Sequence, residues 1–311
     1  MKYIFGVDIG GTTIKIGLFN EELEVISKTS IPTNVSDSGK YIASEITKKL
    51  ETILEVNNVQ NSEVIGVGLG IPGPVKNNFV EQCPNIKWNN LDVKEQFKKC
   101  LPNHYIIESG NDANVAALGE LSVMGNEYSD IVLITLGTGV GGGVIIDGEI
   151  HEGNSGFGGE IGHIPLDEEY KFKCGCGNIG CIETVASANG LVRITNYHKD
   201  NDTRTILKDV TAKSIFEAAK DNDEFALEMV KRYTKKLVKL IATLSVVLDP
   251  CAYIIGGGVS QAGNILLEHI KNEYKENISF TKLKETKFYI AKLGNDAGIY
   301  GAAKLIKNKT R

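Results

Sequence analysis

The chain has 311 residues, 42% of them hydrophobic, and a net charge of −5. That length suits two domains better than one, and the apolar content supports a sizeable core and argues against disorder. The mildly acidic balance argues against nucleic acid as the main partner.

No basic stretch followed by a long apolar run opens the chain, so no signal peptide is expected and the protein is expected in the cytoplasm. Residues 3–9 are apolar and β-prone, Gly10-Gly11-Thr12-Thr13 reads as a turn, and residues 14–19 return as a strand. Residues 40–56 place Ile42, Ile46, Leu50 and Ile53 at helical spacing. A second strand, 131–136, leads into a Gly/Thr loop over 137–143 and a further strand at 144–146. Strand, glycine-rich loop and strand thus occur twice, which suggests a duplicated α/β architecture; the alternative is coincidence between two glycine-rich hairpins. Residues 224–248 carry Met229, Val230, Tyr233, Leu237, Leu240, Ile241 and Leu244 on one helical stripe, a core face that ends at Asp249-Pro250. Its most apolar part contains Lys239 and is too short to span a membrane. A short buried strand at 252–255, Gly256-Gly257-Gly258, a helix at 262–274 and a small-residue helix at 298–305 complete the chain. No Pro-rich linker marks a boundary, as expected for two α/β lobes with a cleft between them.

The glycine excess, 34 residues against a usual share of ~7%, clusters in these loops. No Walker motif occurs, and no G-x-G-x-x-G follows the first strand. The turn Gly10, Gly11, Thr12, Thr13 offers another phosphate cradle, with backbone N–H groups, two hydroxyls and Lys15 nearby. Asp8 would repel a phosphate directly but can act through Mg²⁺, which takes carboxylate, water and phosphate oxygens. Gly137, Thr138 and Gly139 form the second candidate cradle. Gly256, Gly257 and Gly258 after a buried strand leave room for a base or ribose, since ligands of open α/β sheets lie beyond the carboxyl ends of strands. Taken singly, each glycine-rich turn is equally consistent with a tight turn and nothing more. Cys174, Cys176 and Cys181 with His163 have the ligand types of a structural zinc site, although C-x-C-x4-C is not the commonest spacing.

Residues 8–13 and 136–143, the run Gly159-Glu160-Ile161-Gly162-His163 and the run 174–183 occur in this order in the ROK family, whose name joins repressors, open reading frames and kinases. The chain resembles that family over nearly its whole length, and runs 181–187, 215–220 and 293–298 make it most similar to the bacterial ATP-dependent glucokinases. The resemblance implies an α/β, two-lobed, actin-like and hexokinase-like (ribonuclease H-like) duplicated fold with an interlobe cleft. The expected lobes are 1–118 plus 292–311, and 119–291 with a zinc-binding loop. It implies ATP-dependent phosphorylation of a hexose, glucose foremost, with ATP, Mg²⁺ and structural Zn²⁺, and a homodimer. Asp112 would be the general base. Gly73, Asn111, Asp112, Glu160, His163 and Glu183 would bind the sugar. Family members often carry an acidic residue just before the Asn-Asp pair; here that residue is Gly110. A metal on one nitrogen of His163 would fix the tautomer of the other, leaving it for a sugar hydroxyl. Asp112 could alternatively serve only as a helix N-cap. An N-acetylmannosamine or other amino-sugar kinase is the second reading. A sugar-sensing repressor is disfavoured, because the seven residues before Asp8 leave no room for a helix-turn-helix.

Overall fold

The computed structural model describes residues 1–125, 127–199 and 207–310. The chain folds as two compact units: Met1–Ser129 with Gly143–Gly159 and Lys292–Arg311, and Asp130–Gly142 with Glu160–Ala291.

In the first unit, β1 (Tyr3–Ile9) and β2 (Thr13–Asn20) form the expected hairpin, and β3 (Val25–Pro32) extends it. Helix α1 (Ile42–Val56) leads to β4 (Val64–Ile71). The ribbon β5 (Phe79–Cys83) and β6 (Trp88–Asp92), the short α2 (Val93–Lys98), β7 (Ile106–Asn111) and α3 (Asp112–Ser122) come next. The sheet order is β3-β2-β1-β4-β7, with β1, β4 and β7 parallel. One sheet face is apolar by strand alternation: Phe5, Val7 and Ile9 of β1 and Val67, Leu69 and Ile71 of β4 join Ile42, Ile46, Leu50 and Ile53 of α1 in a single buried cluster. These four α1 residues are the helical stripe read from the sequence.

The second sheet is built from β8 (Ile131–Leu136), β9 (Val140–Ile146), β10 (Glu149–Ile150), β11 (Ala252–Gly256) and β12 (Lys287–Ile290) in the order β10-β9-β8-β11-β12. Strands β8, β11 and β12 are parallel, and β10 runs antiparallel to β9. This repeats the first sheet strand for strand, so the duplication suggested by the two glycine-rich hairpins is real. One detail differs from the sequence reading: the loop after β8 is only Gly137–Gly139, and Gly141, Gly142 and Gly143 lie within β9. Gly143 is needed there because a methyl group would stand 2.5 Å from both the Ala113 carbonyl oxygen and the Ala117 methyl of α3.

Helices α4 (Glu183–Ala186), α5 (Ala188–Lys199), α6 (Ala212–Lys220), α7 (Glu224–Leu248) and α8 (Asn264–Asn277) complete the second unit. All seven stripe residues of α7 are buried. Asp223 caps the helix by accepting a hydrogen bond from the Ala226 N–H (2.8 Å). Asp249, left-handed at φ 45°, ends it ahead of Pro250.

The chain returns to the first unit through α9 (Ala297–Lys309), which packs on β1, β4 and α3. Glycines make this contact backbone to backbone: a methyl on Gly6 would overlap the Ile299 carbonyl oxygen, and one on Gly68 that of Ala302. Gly301 presses in the same way on the Val115 carbonyl of α3. Among the described residues, no helix is long and apolar enough to cross a membrane.

Candidate active site

The parallel strands of the first unit carry the first group of candidate residues at their carboxyl ends. The register aligns Asp8 of β1 with Gly70 of β4, and Gly70 with Gly110 of β7. A methyl on Gly70 would lie 3.5 Å from Asp8 Oδ1 and 3.8 Å from the Asp112 Cα, so Asp8 and the start of α3 flank this glycine. Asn111 is the N-cap of α3: its Oδ1 accepts from the N–H groups of Ala113 (3.0 Å) and Asn114 (3.1 Å). Asp112 is therefore the first helical residue and not the cap, which leaves capping an insufficient account of it. Its Oδ1 accepts from the Ala113 N–H (2.8 Å) and from Asn111 Nδ2 (3.1 Å). Asn111 Nδ2 also donates to the Gly73 carbonyl (3.2 Å), which ties the Pro72-Gly73-Pro74 turn to the same point. Cys83 lies beneath that turn and donates its Sγ–H to the Pro72 carbonyl (3.1 Å).

At Gly110 the resemblance led to the expectation of an acidic residue. A methyl there would meet Val115 at 3.0 Å and Ile150 at 3.6 Å, an apolar setting that suits no carboxylate. The neighbouring Ser109 is held instead by Asn78, whose Oδ1 accepts from both the Ser109 N–H (2.6 Å) and Oγ (2.9 Å).

Asp8 sits 3.9 Å from Lys15 Nζ. Burial pushes its carboxyl above the ordinary range, and the Lys15 charge offsets part of that. Lys15 also donates to the Asn295 carbonyl (2.7 Å). Gly298 of α9 backs Asp8 so closely that a methyl would stand 2.6 Å from its Cγ. The turn between β1 and β2 exposes Gly11, Thr12 and Thr13 to solvent. Thr33 pins the turn, its Oγ donating to the Gly10 carbonyl (2.6 Å) and its N–H to that of Thr12 (3.0 Å).

In the second unit, two glycine turns end neighbouring parallel strands, since β11 pairs with β8 through Gly256 and Thr135. Gly137–Gly139 follows β8, closed by a hydrogen bond from the Gly137 N–H to the Gly139 carbonyl (3.0 Å). Gly257, at φ 78°, packs against the Leu136 backbone, where no side chain fits. Gly137 and Gly258 face open space. Gly258 lines a cavity of about 330 Å³ together with Ala188, Lys213, Phe216, Val259 and Gln261. Phe216 lies in the run 215–220 that carries the glucokinase likeness, but its place at this cavity, with Lys213 and Gln261, has no signal in the sequence, because only the fold sets α6 beside the glycine turn.

His163, Cys174, Cys176 and Cys181 place one donor atom each within 4.8 Å of one another. Cys176 Sγ is 3.6 Å from Cys181 Sγ, and Cys174 Sγ is 3.6 Å from His163 Nδ1. Four ligands at ~2.0–2.3 Å from one tetrahedral zinc stand ~3.5–3.8 Å apart; these two 3.6 Å separations and the S₃N donor set fit that ion. The N–H of Asn178 lowers Cys176 to about 7, whereas burial pushes Cys174 up to about 12. The other imidazole nitrogen, Nε2, faces Glu160 Oε2 at 3.8 Å. Glu183 Oε1 lies 2.9 Å from Cys174 Sγ and 3.9 Å from His163 Nδ1. Glu160, His163 and Glu183 therefore form one group, and Gly139 adjoins it, because a methyl there would overlap Glu183 Oε2.

The chain is 40% identical to a glucokinase from Halalkalibacterium halodurans, covering 99% of this chain and 96% of that one. Among solved structures, it resembles a ROK family glucokinase from Streptomyces griseus in complex with glucose and AMPPNP, with 31% identity, 97% and 98% coverage and a TM-score of 0.72. It also resembles a ROK hexokinase from Thermus thermophilus, with 27% identity, 99% and 100% coverage and a TM-score of 0.81. The fold is the actin-like fold of these sugar kinases. The ROK family profile matches residues 4–309, and the chain belongs to the ROK family.

Proposed function

We propose that this chain phosphorylates glucose with ATP, giving glucose 6-phosphate and ADP. The observation that carries the reading is the Asn111-Asp112 pair at the start of α3, oriented by five hydrogen bonds and flanking Gly70 opposite Asp8. The identity to glucokinases supports glucose as the acceptor.

Phosphoryl transfer needs positioning and charge stabilisation more than covalent chemistry. Asp112 accepts the proton of the sugar hydroxyl as its oxygen bonds to the γ-phosphorus; the bond to the β-phosphate oxygen breaks and ADP leaves. An ordinary carboxylate pKa of ~4 suffices, because the hydroxyl becomes acidic only late in the transition state. Asn111, Gly73, Glu160, His163 and Glu183 hold the sugar. Gly10, Gly11, Thr12, Thr13 and Lys15, with Gly137, Thr138 and Gly139, hold phosphates. The adenosine lies along Gly256, Gly257 and Gly258 and the cavity lined by Phe216. Asp8 would hold Mg²⁺, which neutralises phosphate charge when bound. His163 Nδ1 and the three thiolates would hold a structural zinc with no open position, leaving Nε2 for a sugar hydroxyl. The protein works in the cytoplasm as a homodimer.

The test is turnover by purified protein with MgATP and glucose, mannose, N-acetylglucosamine or N-acetylmannosamine. The highest kcat/KM is expected for glucose, with glucose 6-phosphate as product. A preference above about tenfold for N-acetylmannosamine would install the amino-sugar kinase in its place. Absence of turnover with every sugar would favour a regulator.

A further inference from the structure

We infer that Glu120 is a positioning residue that fixes the phosphate-loop carboxylate Asp8 by gripping the chain where it re-enters the first unit. The inference rests on the kinase reading of Asp8.

Glu120 lies in the last turns of α3 and is 1% exposed. A buried carboxylate needs strong donors. Both come from one place: Oε2 accepts from the Lys292 N–H (2.8 Å) and Oε1 from the Leu293 N–H (2.9 Å). Lys292 is the first residue of the segment that returns to the first unit. The next few residues of that segment bear directly on the phosphate loop. Asn295 accepts from Lys15 Nζ at 2.7 Å. Gly298, at the start of α9, abuts the Asp8 carboxylate, with no space even for a methyl. Gly119, the neighbour of Glu120, presses on the Ala297 carbonyl, so α3 and the start of α9 have no slack between them. The path is therefore short: Glu120 holds 292–293, the segment 293–298 holds Lys15 and Asp8, and these two face the phosphates and the metal. Asp112, at the other end of α3, is anchored separately by Asn111 and Gly73.

This separation makes the inference testable. An amide cannot replace the carboxylate, because Gln offers one acceptor oxygen and turns its NH₂ toward a second N–H. Glu120→Gln should therefore let 292–298 shift and carry Asp8 with it. Misplacement of a catalytic group by about 1 Å can cost ~100-fold. For Glu120→Gln we expect kcat/KM for MgATP to fall about 10- to 100-fold. The Mg²⁺ concentration for half-maximal rate should rise, while the glucose KM stays within about twofold. Glu120→Asp, which reaches at most one N–H, should fall between the two.

Kinetics would be run well below the melting temperature of each variant. A lowered melting temperature with unchanged MgATP and Mg²⁺ dependence would overturn the inference, as would equal losses for MgATP and glucose. Should Glu120→Gln fail to fold, Gly298→Ala tests the same path with Glu120 intact, since it displaces Asp8 directly; normal MgATP kinetics in that variant would also overturn the inference. A wild-type protein with no sugar-dependent ATP turnover would instead defeat the kinase reading, so the two failures are distinguishable.

Discussion

The two sheets share one strand order but differ in the side chains and turns they carry. In the first, Gly6 and Gly68 let the backbone of α9 lie directly on the strands. In the second, the face toward α7 and α8, counterpart of the α1 face of the first, is filled by rings: Tyr253 stacks on Phe288 at 5.6 Å, and Tyr274 of α8 meets Phe288 edge-on at 5.0 Å. Their two turns differ likewise. The β1–β2 turn is accompanied by Asp8 and Lys15, whereas Gly137–Gly139 has no charge of its own and adjoins Glu183 and the cysteine cluster. The duplicated scaffold thus holds charge and close helix packing in one copy, and a glycine turn beside a metal-type cluster in the other. The close packing serves the charge: it brings Gly298 against Asp8.

The largest effect should come from breaking that packing. Gly68→Ala places a methyl inside the Ala302 carbonyl, and only movement of α9 can relieve it. Overpacking costs about 1–3 kcal/mol and occasionally more, and the upper end is expected here because the contact is with backbone, read as a lower urea midpoint at unchanged slope. A variant as stable as the parent would show that α9 can move away freely.

Much of this was legible in the sequence. The span 224–248 read from the seven-residue apolar stripe and the Asp249-Pro250 stop matches α7 at both ends. The first hairpin and the cysteine cluster were legible for the same reason, since local chemistry determines each. Strand β4 was missed, although Gly66, Gly68 and Gly70 alternate with Val67, Leu69 and Ile71. Alternation of large with absent side chains does not register as an apolar-polar pattern, and its meaning lies in α9, more than two hundred residues away. The roles of Gly298, Asn78 and Phe216 were hidden likewise, as each depends on a neighbour distant in sequence. The cap of α3 was misjudged by one residue, because Asn and Asp are both good caps and only the geometry assigns Asn111.

The next effect separates the two turns. Asp8→Asn should reduce kcat/KM for MgATP by roughly 100-fold, the range for losing one electrostatic contact to a developing charge, and should raise the Mg²⁺ requirement with little change in glucose KM. If glucose KM moved as far as that for MgATP, the division of labour between the turns would be wrong.

The smallest effect is expected on the uncharged side. Cys176→Ala removes one of four candidate metal ligands and should lower bound zinc from one per chain. Freed from the metal, His163 and Glu183 should lose their orientation and raise the glucose KM by about tenfold, in line with losses at disturbed metal sites, with MgATP affected less. A zinc-free parent protein of full activity would show that the cluster is four ordinary side chains.

The most direct test of the catalytic centre is Asp112→Asn, with turnover and glucose binding measured on the same preparation. Removing a general base typically lowers the rate by ~10²–10⁴-fold. A fall in kcat of that size is expected, with glucose affinity within about threefold of the parent and an unchanged melting temperature; the amide keeps the acceptor oxygen that Ala113 and Asn111 address. Turnover near that of the parent would contradict the assignment of Asp112, and with it the reading of the Asn111-Asp112 pair as the catalytic centre.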